Sequence, residues 1–408
     1  MMQDTEKKYQ FEFVALMASL MSIVALSIDA LLPAIPEIGL AIGNQNSTDL
    51  QLLITMIFLG FGVGQLILGP LSDSFGRKPI MYAGFGIFIL ASFVCVFSTS
   101  LEWMLIGRIF QGIGLSAPRT ISISIIRDSH KGDYMARMMS FVTAFFILVP
   151  VIAPALGQFI LMHLNWQSIF YTQLFFAVLV TFWFWKRQPE TLRPAFKIPF
   201  NKQVYVNGFK ELIKYKEAMV FTVVSGFITG AFMVYLSSSQ HVFEDQYGIG
   251  DKFPYVFAGL ACSIGLSTLL NGTLVVRIGM RRLAFMALSV FSLVSTLYVI
   301  LFWNKPNPSL FVLIPFLVAQ FFTLGFIFGN LRAIAMEPIG HIAGIGAAIT
   351  GFISTLVAIP IATFIGEFMT DTALPLFIGF AICGSLSLIT FIFMKRHILY
   401  RKLNFNWR

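Results

Sequence analysis

The sequence predicts an all-α polytopic membrane protein, with twelve transmembrane helices in two pseudo-symmetric six-helix bundles. Three observations predict it. The 408 residues are 57% hydrophobic and only 12% charged, whereas soluble domains carry about 25% charged residues. Apolar runs near the ~20 residues that cross a bilayer as a helix follow one another along the chain. The basic residues gather in every second loop, as the positive-inside rule requires.

The expected spans are 11–35, 50–71, 79–98, 102–126, 138–162, 166–186, 218–240, 254–276, 282–303, 309–332, 342–366 and 373–394. They mix Leu, Ile and Val with Gly, Phe and Met and show no alternation of period two, which argues against barrel strands. The first span has no small-residue cleavage site after it, so it reads as a retained helix and not as a removed signal. Arg77 and Lys78 fall in the loop after span 2, and Arg127, Lys131 and Arg137 flank the loop after span 4. Eight basic residues lie between Lys186 and Lys216, followed by Arg277, Arg281, Arg282 and Arg332 in later loops of the same side. Lys395, Arg396, Arg401, Lys402 and Arg408 complete the tail. The opposite loops hold Lys252 and Lys305 beside Glu37, Asp49, Glu102, Glu244, Asp245 and Asp371. Both termini are therefore expected in the cytoplasm.

The net charge of +9 thus reflects topology and attraction to anionic membrane lipid. No nucleic-acid-binding module accompanies it, so nucleic acid is not an expected partner. Cys95, Cys262 and Cys383 all fall inside spans and read as inert packing residues. No His/Cys/acid cluster has metal-ligand spacing and the five histidines are scattered, so neither an enzyme, a metal site nor a cofactor is expected. A channel would need a re-entrant hairpin or a selectivity ring, and no such short apolar hairpin occurs.

The longest polar interruption, 187–217, contains Pro189, Pro194 and Pro199. It divides an N-terminal bundle, 1–186, from a C-terminal bundle with its basic tail, 218–408. "GPLSDSFGRK" after span 2 has an echo in "GTLVVRIGMRR" after span 8: Gly69 maps to Gly272, Leu71 to Leu274 and Gly76 to Gly279. Two related halves would place such an echo there. Asp73 maps to Val276, so the second copy lacks the acid.

Ionisable groups inside a span cost several kcal/mol and are functional candidates by default. Asp29 in span 1 and Arg108 in span 4 each lie about 9 Å inside the outer end of their helix, and Arg119 about 16 Å further in. Arg108, Gln111, Gly112, Leu115 and Arg119 share one helical face. Two readings stand side by side. Asp29 and Arg108 are a buried ion pair that fixes packing, or Asp29 is a proton-coupling carboxylate. In the second case burial favours the neutral acid and a nearby guanidinium the anion. Glu12 and Arg127, at span ends, can snorkel. Pro33 and Pro36 weaken the end of span 1. Pro150, Pro154 and Gly157 form a stripe on span 5 that is either a plain kink or a hinge. Tyr235, Gln320 and Asn330 in spans 7 and 10 either face a cavity or bond neighbouring helices. "AGIGAAITGF" makes span 11 a closely packing, small-residue helix.

These residues together resemble the major facilitator superfamily, and within it the twelve-span drug:proton antiporters of the Bcr/CflA type. The signature loop G-x-L-x-D-x-x-G-R-K/R is matched by Gly69, Leu71, Asp73, Gly76, Arg77 and Lys78. "DALLPAIP" resembles the span 1 pattern through Asp29, Pro33 and Pro36. "RIFQGIG" matches R-x-x-Q-G-x-G through Arg108, Gln111, Gly112 and Gly114, and "APRTISISIIRD" continues it with Arg119, Arg127 and Asp128. The span 5 motif G-x-x-x-G-P-x-x-G-G keeps Pro154 and Gly157, while Val149, Ala153 and Gln158 replace its other glycines.

The resemblance implies a rocker-switch transporter with the major facilitator fold in a bacterial plasma membrane. It would export small lipophilic compounds against proton entry through a cavity lined by spans 1, 4, 7 and 10. The alternative on the same fold is proton-coupled uptake or export of one metabolite. By the resemblance Asp29 carries the proton and Arg108 is its conformational partner. Asp73, Arg77 and Lys78, with Gly69 for close approach and Gly76 for the turn, form a cytoplasmic latch. Asp73 has two expected partners, the N-terminal end of span 11 and Arg137. Gln111, Arg119, Tyr235 and Asn330 are the cavity candidates. Two packed halves suffice for a monomer.

Overall fold

A computed structural model describes residues 2–44, 46–130, 132–199, 201–249 and 252–405, which are helical with short connections and contain no strand. The helices are α1 (Met2–Asp29), α2 (Ile35–Ala41), α3 (Ser47–Phe75), α4 (Arg77–Val96), α5 (Leu101–Ser129), α6 (Gly132–His163) and α7 (Gln167–Arg187). They continue as α8 (Lys202–Lys214), α9 (Lys216–His241), α10 (Phe253–Ile278), α11 (Met280–Phe302), α12 (Leu310–Met336), α13 (Ala343–Gly366) and α14 (Leu374–Phe405). Among the described residues, eleven helices are long and apolar enough to cross a membrane, and α6 adds an apolar stretch over Leu148–His163 in the fifth position.

The first span differs most from expectation. It runs over Gln10–Ala41, but α1 stops at Asp29 and a 3-10 turn at Leu32–Ala34 leads into α2. Pro33 and Pro36 stand in the first turns of the two following elements. Proline lacks an N–H and crowds the preceding turn, so the α-helical ladder cannot run through. The last carbonyls of α1 are thereby left without their usual partners. The polar stretch 187–217 holds a helix, α8, preceded by a 3-10 turn at Pro194–Phe196.

The chain divides into two compact units, Met1–Lys202 with Phe243–Cys262, and Gln203–Val242 with Ser263–Arg408. In the first, α5 packs on α3 and α4, and α1 on α6. The α3–α5 crossing is close enough that a Cβ at Gly60 would strike the Ile109 carbonyl, and one at Gly112 the Ile57 carbonyl. Small residues permit such backbone contact within a bilayer. Gly69 is different: a Cβ there would meet Thr120 Cγ2 at 3.6 Å, an ordinary contact. The close approach expected at Gly69 belongs to Gly60, Gly64 and Gly112.

In the second unit α9 packs on α13, α14 and α12, and α11 on α12 and α14. A Cβ at Gly325 of α12 would lie 2.6 Å from the Ile264 carbonyl of α10, the counterpart of Gly112 of α5 against the Ile57 carbonyl of α3. Gly76 (φ +112°) separates α3 from α4, and Gly279 (φ +89°) separates α10 from α11. The loop echo in the sequence is therefore an echo in backbone geometry. Side chains other than hydrogen pay a steric penalty at such φ values.

Gly112→Val is expected to destabilise the α3–α5 crossing by about 1–3 kcal/mol, the usual cost of overpacking. Gly69→Ala should be neutral. Thermal unfolding and monodisperse yield of the detergent-solubilised variants check both.

Candidate functional site

Asp29 is the last residue of α1 and is 6% exposed. Arg108, about two turns into α5, is wholly buried. Its Nε donates to the Leu53 carbonyl at 3.0 Å, and its Nη1 donates to the Ser27 carbonyl at 3.2 Å and to Gln111 Oε1 at 2.9 Å. Gln111 Nε2 donates in turn to Ser92 Oγ at 2.7 Å. One guanidinium thus ties α1, α3 and α5 together, and Gln111 extends the tie to α4. The Ser27 carbonyl can accept because it lies in the last turn of α1, where the break removes helical donors.

Among the described residues Asp29 has no cation within 4.0 Å and no hydrogen-bond partner. The ion pair that a purely structural role would need is not formed. Gly157 of α6 fits against the Ala30 carbonyl, where a Cβ would collide with it, so α6 closes over the break beside Asp29. Pro154 is buried and Pro150 half-buried, and α6 continues through both.

Sequence reasoning missed the polar neighbours of this region. Gln173 of α7 is 1% exposed, and its Nε2 lies 3.5 Å from the Leu26 carbonyl. Ser27 Oγ, Gln51 Nε2, Arg108 Nη2 and Gln173 Oε1 are buried with no partner among the described residues. Such groups cost free energy when unsatisfied; buried glutamines inside spans were the signal that could have found them.

In the second unit the polar candidates bond or pack against neighbouring helices, with the buried Gln320 Oε1 left without a partner among the described residues. Asn330 Nδ2 donates to Asn271 Oδ1 at 2.7 Å and to the Phe326 carbonyl at 2.9 Å. Gln320 Nε2 donates to the Phe291 carbonyl at 3.1 Å. Tyr235 is buried edge-on against Phe321, with centroids 4.5 Å apart. Phe232 contacts Phe321 and Phe328 at 5.8 and 5.6 Å, so α9 and α12 meet through an aromatic cluster. Arg119 is half-buried on α5.

Between α3 and α4 the signature residues build a dense charge node. Arg77 is 2% exposed; its Nη1 donates to Asp73 Oδ1 at 2.6 Å and Ser72 Oγ at 2.8 Å, and its Nε to Asp128 Oδ2 at 2.9 Å. Asp73 therefore has Arg77 as its partner; the side chain of Arg137, an expected partner, lies outside the described residues. Glu190, which sequence reasoning did not single out, caps α4 from 112 residues away. Its carboxylate accepts from the Arg77 and Lys78 N–H groups, both at 3.0 Å, and from the Thr191 and Leu192 N–H groups, both at 2.9 Å. A carboxylate suits this place because the N-terminus of a helix carries partial positive charge and unpaired donors. Partial burial would by itself raise the Glu190 pKa, but the four N–H donors outweigh it and hold it below the ordinary glutamate value. A Cβ at Gly76 would sit 2.8 Å from Glu190 Oε2, a second reason for glycine there. The following chain straps the loop: Ser74 Oγ donates to the Ile198 carbonyl at 2.6 Å, and Ile198 N–H to the Asp73 carbonyl at 3.1 Å. Lys78 Nζ reaches the Trp185 carbonyl at 3.3 Å.

The echo in the second unit has its acids after all. Val276 replaces the acid and is 87% exposed, but Arg281 pairs with Glu217 at the start of α9 and with Glu337 after α12, the latter at 2.7 Å. Asp128 near the end of α5 and Glu337 just past α12 hold corresponding places in the two halves. The missing acid is supplied by other helices.

Residues 17–363 match the family model described as Major Facilitator Superfamily. An uncharacterized MFS-type transporter, YdgK, of Bacillus subtilis is 28% identical over 381 residues, covering 92% of this chain and 93% of its own. A bicyclomycin resistance protein homolog of Haemophilus influenzae is 26% identical over 400 residues, covering 95% and 97%. A solved D-xylose-proton symporter has the same fold, with a TM-score of 0.73 at 15% identity over 95% of this chain and 97% of that one.

Because the Glu190 pKa is depressed in the folded protein, its contribution is present above the ordinary glutamate range and is lost as pH falls through the depressed value. Glu190→Ala is expected to speed amide exchange at Arg77, Lys78, Thr191 and Leu192 at neutral pH. In acid below that range, wild type and variant should exchange alike. The stability change should be at the lower end of the ~0.5–2 kcal/mol typical of helix caps, since the carboxylate is partly exposed.

Proposed function

This chain belongs to the Major Facilitator Superfamily, and on that premise we propose that it is a proton-coupled exporter of small lipophilic compounds working by alternating access. It is a multi-pass membrane transporter and not an enzyme; the direction, the coupling ion and the substrate class are the proposal. The observation that carries it is Asp29, buried at the break between α1 and α2 with no cation beside it while Nε and Nη1 of Arg108 donate to carbonyl oxygens and Gln111. An uncompensated carboxylate inside a membrane span costs several kcal/mol. Taking up a proton removes that cost, and a change at the neighbouring break, where α6 closes on Ala30, alters it. Arg108 then serves by fixing the geometry around Asp29, and Gln111 by fixing Arg108.

A lipophilic substrate is supported by the aromatic cluster of Phe232, Tyr235, Phe321 and Phe328 on α9 and α12. It is supported also by the name of the Haemophilus influenzae relative, a bicyclomycin resistance protein homolog. A carrier of a polar metabolite would want free amides in these helices; Asn330 and the Gln320 Nε2 are spent on interhelical hydrogen bonds, which leaves the buried Gln320 Oε1 as the amide group without a partner among these two residues. The charge node of Asp73, Arg77 and Lys78, turned at Gly76, is the proposed latch on the cytoplasmic side. Both termini lie in the cytoplasm of a bacterial cell by the distribution of Lys and Arg.

Asp29→Asn is expected to reduce pH-gradient-driven efflux of a lipophilic dye to the level of cells lacking the protein, with normal membrane insertion. Efflux at the wild-type rate in this variant would remove Asp29 from the coupling mechanism.

A further inference from the structure

α8 has a wider apolar face than its packing uses. Leu212 is fully buried, and Gly208 lies against α13, where a Cβ would be 2.8 Å from Ile349 Cδ1 and 3.0 Å from Ile345 Cγ1. At 3.6 residues per turn, Val206 and Ile213 fall on the flank of this contact, and they are 39% and 63% exposed. Phe209, half-buried, lies between them and the packed face. Lys210 and Lys214 follow on the far side of the same stripe, both exposed.

The place of α8 is fixed by connectivity. Tyr215 alone separates it from α9, one of the membrane-crossing helices, so α8 sits where the bilayer meets water. Its charge is one-sided. The two acids of the stretch are already matched, Glu211 by Lys214 at 2.6 Å and Glu217 by Arg281. Lys210 and Lys216 have no acid partner among the described residues. A helix with an apolar stripe flanked by lysines lies in the interface plane, with the stripe among the upper acyl carbons and the ammonium groups at lipid phosphates.

We infer that the exposed flank of α8, Val206, Lys210 and Ile213, together with Lys216 at the start of α9, is a docking surface for anionic phospholipid of the adjacent leaflet. This goes beyond the transport reading and does not depend on it. The surface anchors the start of α9 to the membrane and makes its position sensitive to lipid charge. Each unmatched lysine near an anionic surface favours association about five-fold, and salt weakens that attraction.

The test uses the full chain with Cys95, Cys262 and Cys383 replaced by Ala, and single cysteines at 206, 207 or 213 carrying a nitroxide label. The protein is reconstituted into phosphatidylcholine vesicles with or without phosphatidylglycerol. Collision rates with oxygen, which concentrates in the bilayer, and with an aqueous nickel chelate report depth. At 206 and 213 oxygen access should be high and chelate access several-fold below that at the polar position 207, with a larger contrast when phosphatidylglycerol is present. The Lys210→Gln/Lys216→Gln double variant should abolish the phosphatidylglycerol increment while keeping the circular dichroism and elution of the parent. Equal chelate access at 207 and 213 would overturn the proposal by placing the helix in water. Shielding of 213 from both reagents would overturn it by showing a protein partner on that face. An unchanged contrast with phosphatidylglycerol, or in the double variant, would overturn the anionic specificity.

Discussion

A guanidinium buried within a helical membrane bundle must find acceptors, and the way Arg108 finds them constrains the rest of the first unit. It does so at backbone carbonyls and one amide, without a carboxylate. The Ser27 carbonyl is available because Pro33 and Pro36 stop α1 at Asp29. The Leu53 carbonyl is in reach because Gly60 and Gly112 let α3 and α5 touch along their backbones. The helix break, the close crossing and the arginine therefore require one another. Asp29 is left at the break without a counter-charge, which makes its protonation state the variable quantity in the framework that Arg108 fixes.

The two loops after spans 2 and 8 solve one problem with different residues. Each turns at a glycine with positive φ and each neutralises an arginine with two carboxylates. In the first unit Asp73 comes from the helix just before the turn and Asp128 from the end of α5. In the second, Glu217 and Glu337 come from the start of α9 and from just past α12. The charge balance was kept although the residue carrying the acid was not. A position-by-position reading of the repeat therefore sees a loss where none occurred.

Much of this was legible in the sequence. Span count, the turn at Gly76 and the burial of Asp29 and Arg108 follow from local pattern, because a bilayer imposes length and polarity on every segment. What escaped notice depends on contacts distant along the chain. Glu190 looks like one more polar linker residue until the fold brings it to the α4 N-terminus. Gln51 and Gln173 carry no charge, so they raise no alarm as Asp29 does. Gly69 drew attention through its motif, yet the contact it was credited with occurs a few turns earlier, at Gly60 and Gly64. α8 was hidden inside a stretch read by its prolines and lysines, whose apolar residues are spaced as a helical face.

The claim on which the functional account stands is that the Asp29 carboxyl takes up and gives up a proton within the membrane-embedded protein. Infrared difference spectra of the reconstituted protein between acidic and alkaline pH test it without knowledge of the substrate. A protonated-carboxyl C=O band that appears at acidic pH and is missing in Asp29→Asn is the predicted result. A difference spectrum unchanged by that substitution would contradict the account.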